Sequence, residues 1–480
     1  MTELYCLSAG ELARRYQGGT LDPVTLLEAV LDRLNAINPS INALIEQDAA
    51  AARSAAIASA ERWRAGCPLS LLDGVPLTVK DNIPVVGLRC TWGSARYRDY
   101  RPARDETSIA HLRAAGMVLI GKTNCPEFTL QGYTANRLHG VTRNPWNLTL
   151  TPGGSSGGAV AAVASGIGPV AIGTDGGGSL RRPAAHTGLF ALKPSAGLIH
   201  RRHGLPAVLG DFEVVGPISR TVDDAERVLD VMVQRAGGMF GRAGEVAAAP
   251  GRLQIGVLRR IGDTPVAPLI AESLEQAVSD LSRLGHEIIE LPAGHPIEVM
   301  MHEINERIWP VIGQTALAWL AEHGGAGLAG AAAPMDDSLA ASLPAARAIS
   351  AVSYLDALES VRRMRECLSA GLPGCTVLLT PATAAMPWAA ELPFPPTIDG
   401  KPVGPRGHAV FTALANAAGL PAMSVPSWHP AGTLPIGMQF VGGPRSESLL
   451  LALARSLERA RPWCGDWPTL SRPACGLPRS

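Results

Sequence analysis

Along most of the chain, short apolar runs bounded by glycine or proline alternate with longer stretches in which apolar residues return every three or four positions. The runs are residues 75–79, 117–120, 169–172, 253–258, 376–380, 423–425 and 436–441. Short, nearly continuous hydrophobic segments of this kind read as buried strands of a sheet. Between them, residues 106–115, 222–234, 271–284, 354–368 and 446–460 have the character of helices. Strands alternating with helices predict an α/β architecture.

The opening segment, residues 1–66, reads as helices alone. Ser8 and Glu11 form an S-x-x-E capping box ahead of Leu12, and Asp22-Pro23 sets an N-cap before a proline at the first helical position. Val24, Leu27, Leu31 and Leu34 then share a face up to Asn38-Pro39, where the helix is expected to stop. An alanine-rich helix follows over about residues 49–65 and closes at Gly66. This segment is expected to pack on a larger unit, residues 67–470. Residues 324–346, rich in alanine and glycine around Met335-Asp336-Asp337, read as the least ordered part of the chain.

Composition narrows the function. The 480 residues are balanced in charge, 42 Lys+Arg against 42 Asp+Glu, and 46% hydrophobic. That balance removes the basic footprint of a nucleic-acid binder and the polybasic surface of a peripheral membrane protein. A small molecule or another protein is left as the partner. No basic stretch followed by an apolar one opens the chain, so no secretory signal is expected. The longest weakly polar segment, residues 159–173, is interrupted by Ser165 and Pro169 and is too short to span a bilayer. Eight dispersed cysteines without C-x-x-C pairs argue against a zinc site or a disulfide framework. The expectation is a cytoplasmic monomer or homodimer with no metal and no cofactor. Glycine and proline are in excess, 52 and 39 residues, well above their usual share of ~12%.

Part of that excess sits in three segments that could carry chemistry. In Gly74-Val-Pro-Leu-Thr-Val-Lys80-Asp81-Asn82, a strand-like run ends in a lysine. It is either a charged strand end in solvent or a desolvated lysine whose pKa falls from ~10.4 toward neutrality, making it a base. Pro152-Gly-Gly-Ser155-Ser156-Gly-Gly-Ala159 could be a linker, yet the apolar Ala/Val stretch after it favours a tight turn entering a buried helix. It also fits G-x-S-x-G, although Pro152 spoils the strand that a nucleophile elbow needs. Gly173-Thr-Asp175-Gly-Gly-Gly-Ser179-Leu-Arg181 follows the run 169–172, at the strand end where α/β proteins place ligands. No phosphate-loop pattern fits it. Amides converging on one point beside a serine suit an oxyanion hole.

Together, a strand-ending lysine, GGSSGG and GTDGGGSLR resemble the amidase signature family, which hydrolyses carbon–nitrogen bonds with a Ser–cisSer–Lys triad. Flanking segments agree: Leu119-Ile-Gly-Lys-Thr-Asn124-Cys-Pro-Glu127-Phe128, Thr142-Arg-Asn-Pro-Trp146-Asn147, Gly188-Leu-Phe-Ala-Leu-Lys193-Pro194 and Val215-Gly-Pro-Ile-Ser-Arg-Thr-Val-Asp223-Asp224. So do Gly419-Leu-Pro-Ala-Met-Ser-Val-Pro426 and Leu434-Pro-Ile-Gly-Met-Gln-Phe440, and the resemblance spans roughly residues 8–462. It implies one large α/β domain, a mixed central sheet flanked by helices on both faces. It further implies Ser179 as nucleophile, Ser155 as the serine after a cis peptide bond, and Lys80 as base. Gly176, Gly177 and Gly178 would supply oxyanion donors with the amide of Ser179. Asp175 and Arg181 would support the loop, and Ser156 falls at a neighbouring family serine. Gly176 stands where the family commonly has a larger residue, so a more flexible loop is expected there.

Of the histidines, His186, His200, His203, His408 and His429 lie near these segments, none in a recognisable catalytic setting. Packing or surface roles are expected for them, and a structural role for Cys125. The implied substrate is a small aryl or alkyl amide, or a carbamate. The alternative within the family is the glutaminase subunit of a tRNA-dependent amidotransferase. That subunit carries an aspartate, where this chain has Ala409, shortly before its Asn-x-x-Gly-Leu-Pro segment. Loops 127–133, 300–309, 324–346 and 386–405 are candidates for the acyl pocket, with Met300, Met301, Ile304, Trp309, Met386 and Trp388 as apolar lining.

Overall fold

Each of the seven apolar runs forms a strand of one sheet. In the computed structural model, residues 3–233, 251–325, 333–468 and 470 are described. Their main sheet has eleven strands: β1 (Leu44–Gln47), β2 (Pro76–Lys80), β3 (Val118–Thr123), β4 (Val170–Asp175), β5 (Phe190–Lys193), β6 (Val214–Ser219), β7 (Gln254–Val257), β8 (Glu287–Glu290), β9 (Val377–Pro381), β10 (Ala422–Pro426) and β11 (Gly437–Gly442). The spatial order is β1-β3-β2-β4-β6-β5-β10-β11-β9-β7-β8. The sheet is mixed. β2 runs parallel to β3 and β4, and β9 parallel to β7, whereas β4–β6, β5–β10 and β10–β11 are antiparallel.

Side chains alternate across this sheet, and both faces are covered. Along β9, Val377 and Leu379 join an apolar cluster that includes Leu26, Leu27 and Val30 of the helix Pro23–Ile41. Leu378 between them joins another, with Ile304, Ile312 and Met364. Helices therefore flank both faces of a mixed α/β sheet, as the resemblance implies.

The opening segment departs from expectation in two places. It is not helix throughout, because Leu44–Gln47 joins the sheet edge, pairing with β3. The helix begun at Asp22, whose carboxylate accepts the amides of Val24 and Thr25, also continues past Pro39 to Ile41. A proline near the helix end forfeits only one backbone bond, and fully buried Ile41 holds the last turn against the core. Of the Ser8–Glu11 capping box one half forms: Ser8 Oγ accepts the Glu11 amide at 3.1 Å, while the Glu11 carboxylate accepts from Arg15 at 2.7 Å.

Within 324–346 the described residues are more regular than expected. Asp337–Arg347 is a helix, its Leu339 and Ala346 buried against Trp92 and Phe128. Residues 326–332 lie outside the described residues, as do Gln234 at the end of the helix read over 222–234 and Cys475. The seven described cysteines are all unpaired. No helix among the described residues is long and apolar enough to cross a membrane.

Candidate active site

The parallel strands β2 and β4 bring their carboxyl ends side by side, Val79 opposite Ile172. Lys80 thus ends one strand where Thr174 and Asp175 end the next. The Lys80 side chain is wholly buried. Its Nζ donates to Ser155 Oγ at 2.8 Å, to Thr174 Oγ1 at 2.9 Å and to the Thr174 carbonyl at 3.4 Å. Asn82 Nδ2 donates to the same Thr174 hydroxyl at 3.1 Å. No carboxylate of the described residues contacts Nζ. Burial pushes the ammonium down to about 8, and the more distant charges of Glu213 and Asp175 offset only part of that.

Ser155 reaches Lys80 from a turn whose backbone is tightly packed. The Gly154–Ser155 peptide bond is cis. A β-carbon at Gly154 would fall 2.3 Å from the Tyr133 carbonyl oxygen, so only glycine fits there. The apolar helix Gly157–Ala164 follows, every residue of it buried, as the turn reading predicts. Ser156 precedes that helix without capping it. Its Oγ donates to the Thr174 carbonyl at 3.1 Å, and its amide donates to the Ser179 carbonyl at 3.3 Å. Ser156 therefore ties the two glycine-rich loops together.

Asp175 organises the second loop. Its carboxylate accepts the Gly178 amide at 2.6 Å, the Leu180 amide at 3.1 Å and two bonds from Arg181, at 2.9 and 3.0 Å. Asn416 Nδ2 adds a bond at 2.9 Å. Although burial alone raises it, Arg181 holds this carboxyl far below the usual carboxylate range. Arg181 is itself saturated by the Thr412 carbonyl, Asn416 and Gln439.

This geometry corrects the expectation for Gly178. Its amide is committed to Asp175, so it is not available to a substrate oxygen. Among the described residues, the amides of Gly176, Gly177 and Ser179 have no hydrogen-bond partner. Gly178 serves differently: its φ of +111° and a would-be β-carbon 2.2 Å from Thr412 Oγ1 admit only glycine in the turn. At Gly176, the volume a larger side chain would take is filled by Leu209.

Ser179, Gly176 and Gly177 line a cavity of about 630 Å³. Ser179 is 7% exposed, against 1% for Ser155 and 0% for Lys80, so exposure grows from the lysine to the cavity. No hydrogen bond joins the Ser155 and Ser179 side chains among the described residues; a backbone bond through Ser156 brings their loops together.

Of the apolar pocket candidates, Trp309 lines the cavity. Met301 and Ile304 are buried in the core, Met300 and Met386 pack against it, and Trp388 lies edge-on to His186. His186 is buried with Nε2 3.0 Å from the Ala385 carbonyl oxygen, and burial pushes its pKa down to about 4. His408 lines the cavity. The sequence reading missed Thr174 as partner of the lysine, Asn416 and Gln439 as partners of Arg181, and Arg182, Arg406 and His408 on the cavity wall. Thr174 and Gln439 stand inside segments that carry the family resemblance and Asn416 three residues before one, opening the Asn-x-x-Gly-Leu-Pro pattern, which was the available signal. Arg406 has none.

The family profile described as Amidase matches residues 25–451. The chain is 34% identical to a glutamyl-tRNA(Gln) amidotransferase subunit of Roseiflexus castenholzii, over 96% of this chain and 97% of that protein. Among solved structures it is similar to a bacterial aryl acylamidase (TM-score 0.84, 28% identity, 96% of this chain and 98% of the other). It is also similar to 6-aminohexanoate cyclic dimer hydrolase (TM-score 0.82, 28% identity, 98% and 100%). With the profile covering most of its length and these relatives covering nearly all of it, the chain belongs to the amidase signature family of hydrolases.

Proposed function

We propose that the protein hydrolyses carbon–nitrogen bonds of small linear amides through an acyl-enzyme on Ser179, with Ser155 and Lys80 as proton relay. The observation that carries this reading is a fully buried lysine, free of any carboxylate contact, whose Nζ meets Ser155 Oγ at 2.8 Å. Burial without a counter-charge favours the neutral amine, and a neutral amine is a base near the working pH. In that state the Ser155 hydroxyl donates to Nζ.

The steps follow from that polarity. Lys80 takes the Ser155 proton, Ser155 takes the Ser179 proton, and Ser179 Oγ bonds to the amide carbon. The carbonyl oxygen becomes an anion facing the amides of Gly176, Gly177 and Ser179, each such donor contributing ~2.7–4 kcal/mol. The relay then runs backward: Lys80 returns its proton through Ser155 to the leaving nitrogen as the C–N bond breaks. Water repeats the attack on the ester and releases the carboxylic acid. Carbamates present the same acyl carbon and fall within this chemistry.

The glutaminase reading draws on the name of the Roseiflexus relative. Where the resemblance puts the aspartate of such a subunit, this chain has Ala409, buried beside His408 and close in sequence to Arg406. A glutamine α-ammonium finds no carboxylate there, which favours a stand-alone amidase. The test is release of aryl amine from simple anilides, compared with Ser179→Ala. Hydrolysis that the substitution removes is expected, and hydrolysis unaffected by it would contradict the reading.

A further inference from the structure

Arg182 follows Arg181 directly but faces the cavity instead of Asp175. It is 4% exposed. Its two terminal nitrogens donate to the Gly177 and Gly154 carbonyls at 3.2 and 3.4 Å, and its Nε has no partner among the described residues. The same cavity is lined by Arg406, whose guanidinium lies over the Trp309 ring, 4.5 Å from its centroid. Arg406 Nε and Nη2 are buried and have no partner among the described residues. His408, 2% exposed, has neither ring nitrogen bonded among the described residues.

Among the described residues, no acid balances this wall. Two carboxylates line the cavity. Glu213 is paired with Arg201, and Glu306 is exposed at the mouth. Asp175, whose charge acts on Arg182, is already engaged twice by Arg181. A buried guanidinium without a counter-charge is strongly unfavourable unless something that binds there supplies one. The planar fork of arginine matches a carboxylate in particular, and a ring beneath Arg406 leaves its donor edge open.

We propose that Arg182 and Arg406, with His408 beside them, form a subsite for a carboxylate on the amide substrate itself, so that the preferred substrate is a small amide bearing an acid group. The proposal rests on the amide-hydrolase reading above and deepens it. The rest of the cavity wall, including Leu130, Leu317, Leu339, Phe394 and Val410, suits a short hydrocarbon or aryl linker between acid and amide. The acid could sit on the acyl side or on the leaving amine, and the two are separable by experiment.

Two pairs of near-isosteric substrates make the test: the mono-4-nitroanilide of glutaric acid against pentanoic acid 4-nitroanilide, and 4-acetamidobenzoate against 4-methylacetanilide. In at least one pair, kcat/KM is expected to be ~10–100-fold higher for the acid. Arg406→Gln and Arg182→Gln are each expected to lower turnover of the acid far more than that of its neutral partner. Arg406→Lys keeps the charge, retains part of the preference and serves as the folding control. Calorimetric titration of the intact protein with glutarate and with 4-acetamidobenzoate gives a second readout. Neutral substrates cleaved as fast as acids in both pairs would overturn the carboxylate subsite and leave the hydrolase reading standing. Carboxylate binding that Arg406→Gln weakens, without cleavage of any substrate, would sink the hydrolase reading alone. Absence of both binding and turnover overturns the subsite.

Discussion

Arg181 and Arg182 are neighbours in sequence, both buried, yet they stand in opposite electrostatic surroundings. On the Arg181 side, Asp175, Asn416 and Gln439 meet every charge with a partner, and the loop amides of Gly178 and Leu180 are held to the same carboxylate. On the cavity side, among the described residues, the basic groups Lys80, Arg182 and Arg406 have only neutral oxygens, or nothing, as partners. A saturated network fixes a shape. An unsaturated one leaves protons to move and charges to be met by what binds. The scaffold and the working part of this site are separated by that difference, and each can be attacked independently.

The largest effect is expected on the unsaturated side. Ser179→Ala, and equally Lys80→Met, should lower kcat/KM by at least ~10³-fold while the thermal unfolding of the protein changes little for Ser179→Ala; residues acting as one relay are each nearly indispensable. An active Lys80→Met enzyme would remove the lysine from the mechanism.

The saturated side predicts the reverse pattern. Asp175→Asn leaves Arg181 buried without its counter-charge and should destabilise the fold by about 3–5 kcal/mol, read from urea unfolding. A stable variant would mean that Asp175 is not what holds the loop.

Smaller effects concern pH. With Lys80 lowered to about 8, the neutral base is scarce below that value, so kcat/KM should fall about tenfold per pH unit on the acid side and level off above it. His429→Ala should leave this limb in place; a limb that moves with it would reassign the base. Thr174→Val removes a hydrogen bond accepted from the charged lysine. It disfavours that form, lowers the pKa further, and should shift the limb to lower pH by less than about one unit. A shift upward would contradict the assigned polarity.

Much of this was legible in the chain. Apolar runs closed by glycine or proline marked every strand that delivers Lys80 and Asp175, because such strands are buried on both sides and need no polar face. The strands not read, such as Leu44–Gln47 and Val214–Ser219, are those where Glu46 and Gln47 lie at a sheet edge or where Gly216-Pro217 interrupts the run. The commitment of the Gly178 amide to Asp175 was hidden because three consecutive glycines look alike until a neighbour chooses among them. The cavity cations were hidden for another reason. Arg182 and Arg406 belong to no local pattern, and only the fold brings them to one wall.

The central claim is that Ser179 is the nucleophile and that Lys80 activates it through Ser155. Labelling with a fluorophosphonate followed by peptide mass spectrometry tests it most directly. A single adduct on Ser179 is expected, formed at least ~100-fold more slowly in Lys80→Met. An adduct on Ser155 or elsewhere, or one formed as quickly without the lysine, would contradict it.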